Sequence, residues 1–81
     1  MMDITAEIKK RALKLLSQID KTASIERVDC PPDGEYVTIR IRKNNQLLVT
    51  HPITGTELLQ SPSDEEKDDL VRARLRSALL S

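Results

Sequence analysis

From Tyr36 to Thr50 the chain reads YVTIRIRKNNQLLVT, and no other stretch restricts its fold so closely. Val37, Ile39 and Ile41 alternate with Thr38, Arg40 and Arg42, so in an extended chain the aliphatic side chains share one face and the polar ones the other. The returning Leu47-Leu48-Val49 does not alternate, and the turn decides which of the three joins the buried face. A two-residue Asn44-Asn45 turn pairs Ile41 with Leu48 and sets Leu47 and Val49 opposite the arginines. A three-residue loop, Lys43-Asn44-Asn45 with Asn45 left-handed, pairs Ile41 with Leu47 and Ile39 with Val49. The second register is the expectation. It leaves only Leu48 on the polar face, and a slip of one residue turns a strand inside out.

Helices are expected on either side of this hairpin. Across residues 3 to 20, Ile4, Ile8, Ala12, Leu15, Leu16 and Ile19 fall on one stripe of a helix, with Asp3 or Thr5 as cap and Glu7 four residues before Arg11. Lys10, Arg11, Lys14 and Lys21 gather on the opposite face, which reads as solvated or as a docking surface for phosphates or an acidic partner. Leu13 lies off the stripe and hints at a second contact. Ser63 and Glu66 have capping-box spacing before a last helix with Pro62 near its first turn. That helix is acidic early (Asp64, Glu65, Glu66, Asp68, Asp69) and basic late (Arg72, Arg74, Arg76), as the macrodipole favours. Asp68 is placed to reach Arg72 four residues on.

Between the first helix and the hairpin, residues 22 to 29 (TASIERVD) suggest a short strand antiparallel to Tyr36–Arg42, although Ile25 and Val28 do not alternate. The connection CPPDGE has the chemistry of a stiff turn. After the hairpin, Pro52 ends the strand or confines it to an edge, Thr54-Gly55 reads as a turn, and Leu58-Leu59 tuck under the helices. The expected fold is thus α+β in one domain, residues 1 to 81. It has an amino-terminal helix, a two- or three-stranded antiparallel meander and a carboxy-terminal helix, with both helices on one sheet face.

Composition narrows the functional classes. With one Tyr and no Phe or Trp, the 81-residue chain must build its core from Ile, Leu, Val and Ala. A chain of this size buries only about 60 to 65 per cent of its unfolded surface, so a dimer that buries more is plausible. Thirteen basic and thirteen acidic residues cancel, which argues against retention on nucleic acid or membrane by overall charge. No apolar run approaches a membrane span or the core of a signal peptide, and a cytoplasmic protein is expected. The single cysteine, Cys30, reads as a turn residue. The single histidine, His51, reads as a strand-end residue with no metal-ligand companions beyond that cysteine.

No catalytic, metal or cofactor constellation emerges. The two glycines, Gly34 and Gly55, stand in separate turns and form no phosphate loop, and the paired acids at the start of the last helix answer to its dipole. Two binding surfaces are open. Arg40, Arg42 and Lys43 with Asn44 and Asn45 at the hairpin tip could meet nucleic acid, since a two-stranded ribbon fits a major groove. The last helix carries a surplus apolar strip, Leu70, Ala73 and Leu80, opposite the core strip of Val71, Leu75, Ala78 and Leu79. The favoured expectation is a small non-enzymatic protein-interaction module, an accessory subunit, adaptor or inhibitor able to self-associate, docking through Leu70, Ala73 and Leu80.

Overall fold

A computed structural model of the chain describes residues 4–31 and 35–80. Helix α1 (Ile4–Ile19) is followed by strands β1 (Ala23–Asp29), β2 (Tyr36–Lys43), β3 (Gln46–Val49) and β4 (Ile53–Thr54), a short helix α2 (Gly55–Leu59) and helix α3 (Asp64–Leu80). The strands form an antiparallel sheet in the order β1-β2-β3, with β4 continuing beside β2 beyond the end of β3. Both long helices cover one face of it. The expected α+β architecture is the observed one, with three meander strands and the added β4. No helix among the described residues is long and apolar enough to cross a membrane.

The core is aliphatic. Val37, Ile39 and Ile41 of β2 and Ile53 of β4 are fully buried against Ile8, Ala12, Leu15 and Leu16 of α1, Leu58 of α2, and Val71, Leu75 and Ala78 of α3. Ile19, Ala23, Ile25, Val28, Leu48, Leu70 and Leu79 close its margins. Fully burying one such side chain contributes roughly 1.5–3 kcal/mol, which is why a chain without Phe or Trp can still fold around this cluster.

The hairpin register differs from the expectation. Ile41 pairs with Leu48, Arg42 with Leu47 and Arg40 with Val49, so the turn is the two-residue Asn44-Asn45. Both asparagines have positive φ, 51° and 65°. That is a type I′ turn, whose twist matches the strands it joins, and Asn tolerates the left-handed region that a branched residue would not. The consequence is that Leu47 and Val49, rather than Leu48, lie on the sheet face away from the helices.

Strand β1 explains its own lack of alternation. Ile25 pairs with Ile41 but Arg27 with Arg40, so Glu26 is the extra residue of a β-bulge. The bulge lets Ile25 and Val28, three apart, both face the core. A second irregularity separates β3 from β4. Thr50 is buried, its N–H donates to the Ile39 carbonyl at 3.0 Å, and its Oγ1 accepts the Ile39 N–H at 3.0 Å.

Several local expectations change. Thr54 is the N-cap of α2, accepting the Glu57 N–H at 3.0 Å, so Thr54-Gly55 opens a helix where a turn was expected. Leu58 is buried as anticipated, but Leu59 is exposed. Thr5 sits inside α1 rather than capping it. Asp3, the side chain of Ile4, and residues 32–34 of the CPPDGE connection lie outside the described residues. Ser63 caps α3 as expected, accepting the Glu66 N–H at 3.2 Å.

Asp68 does not pair with Arg72. It accepts from Arg11 Nη1 at 2.8 Å and from Lys14 Nζ at 2.9 Å, while Arg72 turns to Asp69. Arg11 also reaches Glu7 at 2.9 Å, as expected, and Asp64 at 3.0 Å. These contacts tie the middle of α1 to the first turns of α3. Arg11 and Lys14 of the basic face of α1 therefore find acidic partners within the chain, in the first turns of α3.

Candidate interaction surface

The open sheet face is set by strand parity. On β2 it carries Tyr36, Thr38, Arg40 and Arg42, on β3 Leu47 and Val49, and on β1 Ser24, Arg27 and Asp29, with the bulge residue Glu26 reaching Arg42 on the same side. Leu47 and Val49 are 47% and 52% exposed, and they stand directly across from Arg42 and Arg40. An apolar pair beside a charged row is the least expected feature of this surface.

The cations of the hairpin are all engaged. Arg40 Nε lies 2.6 Å from Asp29 Oδ2, and the other oxygen of Asp29 meets Arg27 Nε, so one carboxylate bridges two arginines that face each other across the β1–β2 ladder. Arg42 pairs with Glu26, which holds that carboxyl below its usual range and raises the guanidinium. Lys43 pairs with Asp20, at the end of α1. Hydrogen bonds from Lys43 and then from Thr22 lower the Asp20 carboxyl to about 2. Asn44 and Asn45 are exposed at the tip but are committed to the turn backbone.

The strip expected on α3 is divided. Leu70 is half-buried and packs on the core, Ala73 is exposed but small, and Leu80 is 86% exposed at the helix end. They do not form one continuous apolar patch. Leu13 is exposed beside a groove of 350 Å³ lined by Leu16, Ser17, Lys21, Ala23, Ser24 and Ile25, between α1 and β1. A wider groove of 580 Å³ follows the α1–α3 ion pairs.

Groups with chemical potential are dispersed. Cys30 is exposed, with its Sγ 3.5 Å from the Pro31 carbonyl, and His51 is exposed in the irregular segment after β3. Among the described residues no three of His, Cys, Asp and Glu gather closely enough to hold a metal ion.

Leu47, Val49 and Tyr36 were not singled out as site residues by the sequence reading. The signal for Leu47 and Val49 is the Asn-Asn pair, since a two-residue turn in which both residues take positive φ sets them on the arginine side, and Tyr36 follows from the alternation of β2. Comparison of the chain with known protein families, with curated proteins and with solved structures finds no match.

Proposed function

We propose that this chain is a non-enzymatic, cytoplasmic protein-interaction module that binds a polypeptide along β3, using the Leu47–Val49 side of its open sheet face. The observation that supports this reading is the exposure of those two side chains on a sheet face where every other strand residue is polar, charged or Tyr36. Burying both on a partner would contribute favourable apolar area at a site flanked by neutralised ion pairs, so little charge has to be desolvated unpaired. The first-expected surface of Leu70, Ala73 and Leu80 supports docking less well, because Leu70 already belongs to the core margin.

The nucleic-acid reading loses support from the same geometry. A phosphate approaching Arg40, Arg42 or Lys43 has to compete with Asp29, Glu26 and Asp20. Capture by the tagged chain from its host lysate, with and without nuclease, tests the choice. Recovery of a polypeptide that survives nuclease and is lost with Leu47→Ser/Val49→Ser is the expected result, whether that polypeptide is an endogenous copy of the chain or another protein. Recovery of nucleic acid that falls with salt and with Arg40→Ala/Arg42→Ala would overturn it.

A further inference from the structure

The two outer edges of the sheet are built differently. Among the described residues no strand pairs with the outside of β1 or of β3. On β1 the edge is guarded by the bulge at Glu26 and by Glu26, Arg27 and Asp29, which are devices that keep an edge from pairing with another chain. On β3 there is neither bulge nor charge from Gln46 to Val49, and the strand is apolar on both faces, Leu48 towards the helices and Leu47 and Val49 away from them.

Resting on the reading of β3 as a binding edge, we propose that its occupant is a second copy of this chain, joined by antiparallel β3–β3 pairing about a two-fold axis at Leu48. The hairpin turn dictates the register. In a two-residue hairpin the residues flanking the turn, Lys43 and Gln46, exchange hydrogen bonds, and such pairs alternate with unbonded ones along the ladder. Gln46 and Leu48 therefore direct their N–H and C=O groups towards β2, as Thr50 does in donating to Ile39. Leu47 and Val49 direct theirs outwards.

A symmetric pairing has to satisfy those two residues. Setting Leu47 against Val49 of the second copy, and Val49 against its Leu47, closes four backbone hydrogen bonds and stays within the regular strand. Centring on Leu47 closes only two, because its next bonded pair would need Asn45, which is left-handed in the turn. With the axis at Leu48, the two Leu48 side chains meet on the helix side. Leu47, Val49 and their symmetry mates form an apolar block on the open side. Arg40 and Arg42 of the two copies stay about 14 Å apart, three strand spacings, with their own carboxylates beside them.

Area sets the strength of this association. Specific dimers bury upward of about 1,000 Å² in total, more than a four-residue edge supplies. Helix α3, which packs against β3, is the element placed to supply more. Its Arg74 donates to the Pro52 carbonyl just past the end of that strand, and its Leu80 is exposed.

Sedimentation equilibrium of the full chain across a concentration series tests the assignment. The expected result is a mass rising from 9.2 kDa towards twice that value. Val49→Pro, which removes an outward N–H that no bond within the hairpin uses, should weaken the dimer about tenfold or more while far-UV circular dichroism still reports a folded chain. Because proline could unfold the hairpin, Leu48→Cys in a Cys30→Ser background gives an independent readout. Under oxidation it should form a disulfide dimer, and Cys introduced at Ile25 on the guarded edge should not. A chain that stays at monomer mass at millimolar concentration, or crosslinks through position 25 instead, overturns the proposal. If such a monomer still captures another protein through Leu47 and Val49, only the identity of the occupant fails and the binding edge stands.

Discussion

Arg11 and Asp68 face one another across the α1–α3 interface, 2.8 Å from Nη1 to Oδ1, with only 14% of each side chain exposed. Each is held by further partners, Arg11 by Glu7 and Asp64 and Asp68 by Lys14, so the pair is the centre of a network that ties the two helices together. Among the described residues the buried Arg11 Nε has no acceptor, which is the one flaw in an otherwise satisfied guanidinium.

Removing one member of this network should cost more than removing an exposed pair. Asp68→Ala leaves Arg11 half-buried with fewer acceptors, and a loss of about 1–3 kcal/mol is expected from urea unfolding at neutral pH. Asp69→Ala, which frees only the exposed side of Arg72, should cost less than about 1 kcal/mol. Equal losses from the two substitutions would mean that the interhelix network contributes no more than a surface ion pair.

Acid should weaken the fold through Asp68 and through two carboxylates outside this network. Asp68 is held below its ordinary range by Lys14 and then Arg11, Glu26 by Arg42, and Asp20 at about 2 by Lys43 and Thr22. A carboxyl whose folded pKa is depressed binds protons more readily in the unfolded chain, so its contribution is complete above the unfolded value near 4 and is lost as pH falls through the folded value. Urea midpoints should therefore be level from pH 7 to about 5 and decline between about pH 4 and 2. Asp20→Asn should flatten the lowest part of that decline, and an unchanged profile in this variant would refute its assigned share.

The turn offers a gain rather than a loss. Asn45 holds φ at 65°, where glycine has no steric cost, so Asn45→Gly should raise stability by about 0.5 kcal/mol. Asn45→Val should lower it by about 1–2 kcal/mol, since a β-branched residue is strained there. Thermal melts of the two variants moving in the same direction would exclude a type I′ turn.

How much of this was readable beforehand differs by element and has physical causes. The long helices and β2 announce themselves because their apolar residues recur at the period of one regular conformation, and Ser63 and Glu66 mark the start of α3 within the chain's own local chemistry. The register expected for β3 differs from the observed one because a count of apolar residues on the core face ignores the turn, in which two adjacent asparagines already carry the decisive conformation. β1 was obscured because its bulge breaks the period that reveals a strand. Asp68 was assigned to Arg72 since both lie on one helix, whereas the competing Arg11 lies 57 residues away and becomes a neighbour only through packing. The candidate surface was hidden for the same reason as the register, because Leu47 and Val49 are exposed only when Leu48 is not.

Thr50 shows how a single hydroxyl ends the hairpin ladder without leaving a gap. β3 pairs with β2 through Arg40 and Val49, β4 through Val37 and Ile53, and the intervening Thr50-His51-Pro52 holds one residue too many for a regular ladder. Ile39 is in the buried core strand, and its N–H would lack a partner at this irregularity if the Thr50 side chain did not accept it. Thr50→Val keeps shape and removes the acceptor, so a loss of about 1–3 kcal/mol is expected, against less than about 1 kcal/mol for Thr50→Ser, which keeps it. Amide exchange at Ile39 gives the site-specific check. Its protection should fall in Thr50→Val beyond the fall at Ile41, whose ladder partner Leu48 is untouched, and equal changes at both amides would show that the hydroxyl does not carry this bond.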